Sequence, residues 1–295
     1  MLRHYAGAVL LLTPGSPLHD ALTVLAAASR VVVVTGLPGT GKSLLIHQLA
    51  QLAQGTGRAV SLLQWDVARP VVEGSSAARA YPARDGIAHG MVRVAVGRWA
   101  RAAIAAWDSA RPAEGLLIVE APLVGHRFVE LVRPMADTSE ALLSGPRTRF
   151  IVPVPSRALR AHLEAERARR ALAPRHPRER EDAPPEVLRD LWRQVAQLAV
   201  ALGLVAPEPG SDDVPYDPTI YAAVYGHVLR RRHAEVLAMN AVLPAGSFSP
   251  YDFGIPVEDL RPTPEEAPGL VDAAALEWAD PQALAVAIER WYVTP

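Results

Sequence analysis

The chain contains one lysine, Lys42, in the stretch Gly36-Leu37-Pro38-Gly39-Thr40-Gly41-Lys42-Ser43; every other basic residue is arginine. The spacing is G-x-x-x-x-G-K-[ST]. Glycines let successive backbone N–H groups curl around an oxyanion, and a helix beginning at the loop adds its partial positive charge. Lysine carries a compact charge on a flexible stem that reaches between phosphate oxygens, whereas arginine's planar fork is too bulky for so tight a loop. The hydroxyl of Ser43 suits a hard cation such as Mg²⁺. The residues from Gly36 through Leu44 are therefore expected to bind a nucleoside triphosphate with Mg²⁺.

The flanking pattern supplies the strand and helix that such a loop needs. Residues 18–28 read as a helix, Arg30 to Thr35 as a buried β-branched strand, and 42–54 as the helix after the loop. A second strand is expected over 58–66, ending at Asp66, then a polar, proline-bearing connection from Arg69 to Arg84. A long helix over about 86–107, a third strand over 115–122, a helix over 126–135 and a fourth strand over 147–155 follow. Alternating strands and helices imply an α/β fold, a doubly wound parallel sheet with helices on both faces. Ligands in such sheets sit at the carboxyl ends of the strands, where Gly36, Asp66, Glu120 and Pro155 should meet.

Beyond Pro155, residues 157–180 carry eight arginines against three glutamates. A further helix is expected through Leu204, a surface loop at 207–215, one helix over 218–239, and a closing helix over about 281–291. This divides the chain into a core of residues 1–240, with a lid at about 157–182, and an extension of residues 241–295 packed on it.

Composition sets bounds. At 295 residues, 50% hydrophobic and 21% charged, the chain reads as an ordinary globular protein. A net charge of −1 gives no reason to expect nucleic acid as a partner, and the absence of cysteine removes thiolate metal sites and cysteine nucleophiles. The apolar run from Ala6 to Leu12 is short and stopped by Pro14, Gly15 and Pro17, so neither a cleaved leader nor a membrane span is expected, and the chain reads as cytoplasmic.

The single lysine also narrows the class. No N-K-x-D guanine-reading motif can be built, "LLSGP" (142–146) is only a fragment of an ABC signature, and "LLIVEAP" (116–122) ends in one acid, Glu120, not an Asp-Glu pair. The chain resembles the P-loop kinase group over about residues 30–205, through a Walker A loop of the form GLPGTGKS. Asp66-Val67-Ala68-Arg69 is similar to the D-x-x-R of polynucleotide-kinase-like members, which implies that Asp66 accepts the proton of an attacking hydroxyl and Arg69 steadies the acceptor. "LLIVEAP" is similar to the acidic third strand of uridine-kinase-like members, and "VPVPSRALRAHLEAERARRAL" (152–172) resembles a fourth strand followed by an arginine-bearing lid.

Chemistry alone supports the same set. Phosphoryl transfer needs positioning, metal and cationic neutralisation of the transferring group, and an acid to orient the acceptor. Lys42, Asp66, Glu120, Arg167 and Arg170 are the expected catalytic set, with Arg169 and Arg175 beside them. Ser43 and Glu120 are the expected metal ligands. Arg69, His89 and Arg93 are expected on the acceptor side, although Arg69 could instead pair with a surface acid and His89 and Arg93 could equally cap an exposed helix face. The expected reaction moves the γ-phosphoryl group of Mg-ATP to a small hydroxyl-bearing acceptor, such as a nucleoside or sugar derivative. A polynucleotide-end kinase, and a regulatory ATPase whose last ninety residues contact a protein partner, remain the alternatives.

Overall fold

In the computed structural model, which describes residues 10–206, 214–243, 249–254 and 256–293, the chain builds one six-stranded, all-parallel sheet with helices on both sides. At its centre lies β1 (Val31–Thr35), every residue of it buried. Its side chains alternate: Val31 and Val33 enter one apolar cluster, Val32 and Val34 the other. β3 (Leu116–Ala121) pairs with one edge of β1 and β4 (Thr148–Pro155) with the other. β2 (Val60–Gln64) extends the sheet beyond β3, and β5 (Ala234–Met239) extends it beyond β4. The last strand, β6 (Glu258–Leu260), covers the open edge of β2, so the order is β5-β4-β1-β3-β2-β6.

One face is covered by α1 (Pro17–Ala28) and α2 (Lys42–Gly55), whose Leu22, Leu45 and Leu49 meet the even-numbered valines. Ser16 caps α1 and Pro17 opens it, as expected where the first amides lack helical partners. α3 (Trp65–Glu73), α4 (Gly90–Ala110) and the short α5 (Glu140–Leu143) follow on the opposite side. After β4 come α6 (Arg157–Leu172), α7 (Pro185–Ala201) and α8 (Pro218–Val228), and after β6 come α9 (Ala267–Glu277) and α10 (Pro281–Glu289). Trp192 of α7, Tyr221 and Tyr225 of α8, and Val271 of α9 complete the second cluster with Val92 and Ile104 of α4. Among the described residues, no helix is long and apolar enough to cross a membrane.

Several elements differ from expectation for definable reasons. The second strand stops at Gln64, so Asp66 stands in the first turn of α3, and Arg69 lies within that helix. The helix expected at 126–135 is a single 3₁₀ turn, Val129–Leu131, because the preceding residues adopt left-handed backbone angles. The helix expected at 218–239 is two elements: α8 ends at Val228, and the chain turns into β5. The turn is held by Arg232, which donates to the Leu131 and Arg133 carbonyls and to Glu140. β5 hides its period of two because buried Leu237 and Met239 alternate with exposed but apolar Val236 and Ala238. The loop at 207–215 lies largely outside the described residues, as does Ala6 to Val9 of the N-terminal apolar run.

Buried arginine joins the layers. Arg101 of α4 donates to both Asp137 oxygens and to Glu140, which also receives Arg232. Hydrogen bonds from Arg101 hold the Asp137 carboxyl well below the usual carboxylate range. Burial alone would raise the pKa of Glu140, but hydrogen bonds from Arg232, Arg101 and the Met135 amide outweigh it and bring it from 4.5 to about 2. A carboxylate with a depressed folded-state pKa contributes stability above its unfolded value and loses it as pH falls toward the folded value. Glu140→Gln should therefore cost about 1.5–3 kcal/mol at pH 7, as for loss of charged hydrogen bonds. Urea titrations should show wild type and variant converging between about pH 4.5 and pH 2; a gap that is independent of pH would contradict this.

Candidate functional site

The carboxyl ends of the strands open into a cleft of about 830 Å³. The glycine loop leaves β1 at its floor. Gly36 adopts φ +128°, and a Cβ there would lie 2.2 Å from the Tyr221 hydroxyl. That hydroxyl accepts the Leu37 amide at 2.9 Å, pinning the loop from α8. Thr40 closes the turn by donating to the Leu37 carbonyl at 2.8 Å. Gly41, at φ +86°, is the N-cap of α2, and a Cβ there would press on Met239 at 3.1 Å. The loop is thus a tight cradle at a helix N-terminus, with Pro38, Gly39, Gly41, Lys42, Ser43 and Leu44 on the cleft wall.

Lys42 is 6% exposed. Its ammonium donates to the Leu37 carbonyl at 2.9 Å and stands 3.7 Å from Glu120 Oε1. Burial lowers its pKa, Glu120 opposes that shift, and Arg167 adds to it. Sheet register explains the Glu120 position: Val34 of β1 and Gln64 of β2 are its direct neighbours, and Gln64 donates to Glu120 Oε2 at 3.0 Å. Gln64 in turn accepts from Arg178 at 3.1 Å. Lys42, Ser43 and Glu120 therefore converge, while Pro155 does not line the cleft.

Cations from the arginine segment face the loop. Arg160, 3% exposed, donates to the Pro38 carbonyl at 3.1 Å and pairs with Glu164 at 2.6 Å. Arg167 bonds Asp182 at 2.6 Å, and a Cβ on Gly39 would sit 3.5 Å from its Nη1. Arg170 lies 3.5 Å from Glu179, and Arg169 pairs with Glu166 of its own helix. The buried Nε atoms of Arg167 and Arg170 have no hydrogen-bond partner among the described residues. Arg175 also lines the cleft. The segment is therefore largely paired within itself, with Arg160 and Arg167 reaching the glycine loop.

The chain after β5 contributes a residue that sequence reasoning did not single out. Tyr251 donates to Asp182 at 2.7 Å and lies against the Ser43 hydroxyl. Burial, with Asp182 and Glu120 nearby, raises its pKa above the ordinary tyrosine value. Nothing in the proline-rich sequence around it marks that role.

On the other side of the loop, Trp65, Asp66 and Arg69 of α3 share a wall with Ile87 and Arg127. Asp66 is exposed and makes no ion pair within 4 Å among the described residues. Arg69 pairs with Glu73 one turn along α3. His89 and Arg93 do not line the cleft. His89 caps α4, its Nδ1 accepting the Met91 amide at 3.1 Å. Burial lowers its pKa, with Arg84 and Arg93 adding to the effect. Arg93 is buried and donates to the Ala88 and Gly125 carbonyls at 2.7 and 2.6 Å.

That contact holds an unusual loop after β3. Leu123, His126 and Phe128 have φ of +64°, +62° and +63°, with Gly125 at +65° between them. Left-handed backbone costs about 1–3 kcal/mol at each non-glycine residue and persists only where packing enforces it. Here Leu123 and Phe128 are fully buried, His126 bonds Glu130 at 2.8 Å, and Tyr225 donates to the Pro122 carbonyl at 3.1 Å. The outcome is Arg127, turned into the cleft from a rigid mount. The only sequence signal for it was its place just past the strand that carries Glu120.

Among the described residues, no three His, Asp or Glu side chains gather as a metal cluster. Ser43 and Glu120, the expected metal ligands, both line the cleft with oxygen donors. Around one cleft the chain thus gathers a glycine-rich turn at a helix N-terminus, one buried ammonium, several guanidinium groups and the carboxylates of Glu120 and Asp66. No protein-family model, no curated protein and no solved structure matches the chain.

Proposed function

We propose that the chain is an ATP-dependent phosphotransferase of the P-loop kinase type, acting on a small hydroxyl-bearing acceptor in the cytoplasm. The observation that carries this reading is the chain's sole lysine, buried in a glycine cradle and 3.7 Å from Glu120 at the floor of the cleft. A protein that has placed arginine at every other basic position keeps lysine where a compact, mobile charge must reach phosphate oxygens.

In this reading the loop amides and the α2 N-terminus bind the β-phosphate, and Lys42 leaves the Leu37 carbonyl to bridge β- and γ-oxygens. Mg²⁺, held by Ser43 and oriented by Glu120, would supply neutralisation of the phosphate charge. The apolar wall of Leu163, Met239 and Val242, on the β4–β5 side, suits the base of the nucleotide. The acceptor enters on the β3–β2 side. Its hydroxyl oxygen forms the new bond to the γ-phosphorus, the bond from that phosphorus to the bridging oxygen breaks, ADP departs, and Asp66 takes the hydroxyl proton. Arg167 and Arg170 meet the charge that develops on the transferring group.

Lys42→Ala should abolish Mg-ATP turnover, and Lys42→Arg should lose about 10²-fold or more, as for removal of a preorganised charge. Calorimetric titration with Mg-ATP and coupled ADP release, on variants whose thermal unfolding matches wild type, provides the check; unchanged affinity together with unchanged turnover would refute the assignment.

Asp66→Asn separates acceptor chemistry from nucleotide binding. Acceptor-stimulated turnover should fall by about 10²-fold or more while ATP affinity stays nearly constant. The opposite pattern, weak ATP binding with normal turnover at saturation, would contradict the role.

The arginine segment should act as a lid. Hydrogen exchange over residues 157–182 should slow when a non-hydrolysable ATP analogue binds, and Arg167→Ala should depress turnover more than affinity. Exchange indifferent to nucleotide, with full turnover retained, would make this segment ordinary surface.

A further inference from the structure

We infer that Arg127 and Arg69 form an oxyanion subsite beside Asp66, so that the acceptor carries a phosphate or carboxylate group as well as its reactive hydroxyl. This inference rests on the phosphotransferase reading and concerns the half of the cleft opposite the nucleotide.

Arg127 stands apart from the other internal arginines. Arg30, Arg101 and Arg232 each donate to a carboxylate, and Arg93 spends its Nε and Nη1 on two carbonyls. Among the described residues the Arg127 guanidinium makes one hydrogen bond, to the Val124 carbonyl at 3.2 Å, and no ion pair within 4 Å. A guanidinium has five N–H donors, so most of its donor capacity is unused on a side chain that lines the cleft. Burial lowers its pKa; Asp66 opposes that shift and the nearby charge of Arg69 adds to it. Both arginines line the same cleft, Arg69 paired with Glu73 and Arg127 with no carboxylate partner within 4 Å among the described residues, so an oxyanion entering there would find its free fork in Arg127.

The mount supports this function more than a packing role. Leu123, His126 and Phe128 all hold left-handed angles, and the buried Arg93 grips the Gly125 carbonyl in their midst. The loop's apolar residues are already buried, so Arg127 is the side chain that this costly geometry delivers to the cavity. Topology keeps it away from the triphosphate cations: Arg127 follows β3, on the β2 side of β1, whereas Arg160, Arg167 and Arg170 follow β4 on the other side. Trp65 and Ile87 beside it offer apolar surface for a short carbon skeleton. Asp66 stands one turn before Arg69 in α3 and lines the same cleft, so an acceptor anchored by its anion would present a neighbouring hydroxyl to that carboxylate.

The test uses the full chain saturated with a non-hydrolysable ATP analogue and titrated with glycerol, glycerate and glycerol 3-phosphate, then with ribose and ribose 5-phosphate. Calorimetry or the shift in unfolding temperature reports binding. At least one charged member of a series should bind about tenfold or more tightly than its neutral parent, as expected for a charge-assisted bidentate contact. Binding of glycerate and glycerol 3-phosphate alike indicates a general oxyanion site; binding of the phosphate esters alone narrows it to phosphomonoesters. Arg127→Gln should erase the preference while analogue affinity changes less than about threefold, because the nucleotide half is built by other residues. Should Arg127→Gln not fold, Arg127→Lys keeps the charge and loses the fork, and most of the preference should go. Charged and neutral probes that bind equally or not at all, or a preference that survives loss of Arg127, would overturn the subsite. A wild-type chain that ignores the ATP analogue yet binds charged probes through Arg127 would overturn the kinase reading and keep the subsite.

Discussion

At the end of β1 the backbone must turn under the Tyr221 hydroxyl, and no side chain has room there. Gly36 meets that constraint, and the hydrogen bond from the Leu37 amide to Tyr221 then sets the height of the whole loop. Because β1 is paired on both edges and buried on both faces, the point where the loop begins is fixed by the sheet. Because Tyr221 lies in α8, the far end of the second layer fixes where the loop goes next. Lys42, Ser43 and the start of α2 inherit their positions from these two anchors.

Arginine and lysine divide the work of positive charge by shape. Arg30 illustrates the first case: it donates to Asp108 and to the carbonyls of Pro112, Gly115 and Arg111, and stacks 4.1 Å above the Trp107 ring. A planar fork satisfies several fixed acceptors at once, which a three-donor ammonium on a mobile stem does less well. Lys42 shows the converse. Its resting partner is a carbonyl of its own loop, 2.9 Å away, from which a slender side chain can swing to another oxygen.

The parts legible in sequence were those written in local pattern. The β-branched run of β1, the glycine spacing and the helix after it announce the glycine turn, and the single acid at the end of β3 announces Glu120. What escaped depends on contacts distant in the chain. β5 reads as helix because exposed Val236 and Ala238 are as apolar as buried Leu237 and Met239, so alternation is invisible until pairing with β4 defines the faces. Arg93 looked like a site residue from its spacing to His89, yet its partners are the Ala88 and Gly125 carbonyls, one of them 32 residues away. Arg127 and Tyr251 reach the cleft through a left-handed loop and a return crossing, neither of which has a periodic signature.

The position of β6 has a consequence for the order in which the molecule can assemble. Strand β2 leaves one edge open until Glu258–Leu260 arrive, almost two hundred residues later, with Ser61 meeting Glu258 and Arg111 meeting the same carboxylate. During synthesis from the N-terminus, the strand that carries Gln64 emerges with a row of unpaired peptide groups, a template for pairing with other chains. Parallel pairing at such separation is also slow to close, because the intervening loop's entropy must be lost before contacts form. The β2 edge therefore stays open to aggregation until about seven-eighths of the chain is in place and one short strand is still missing.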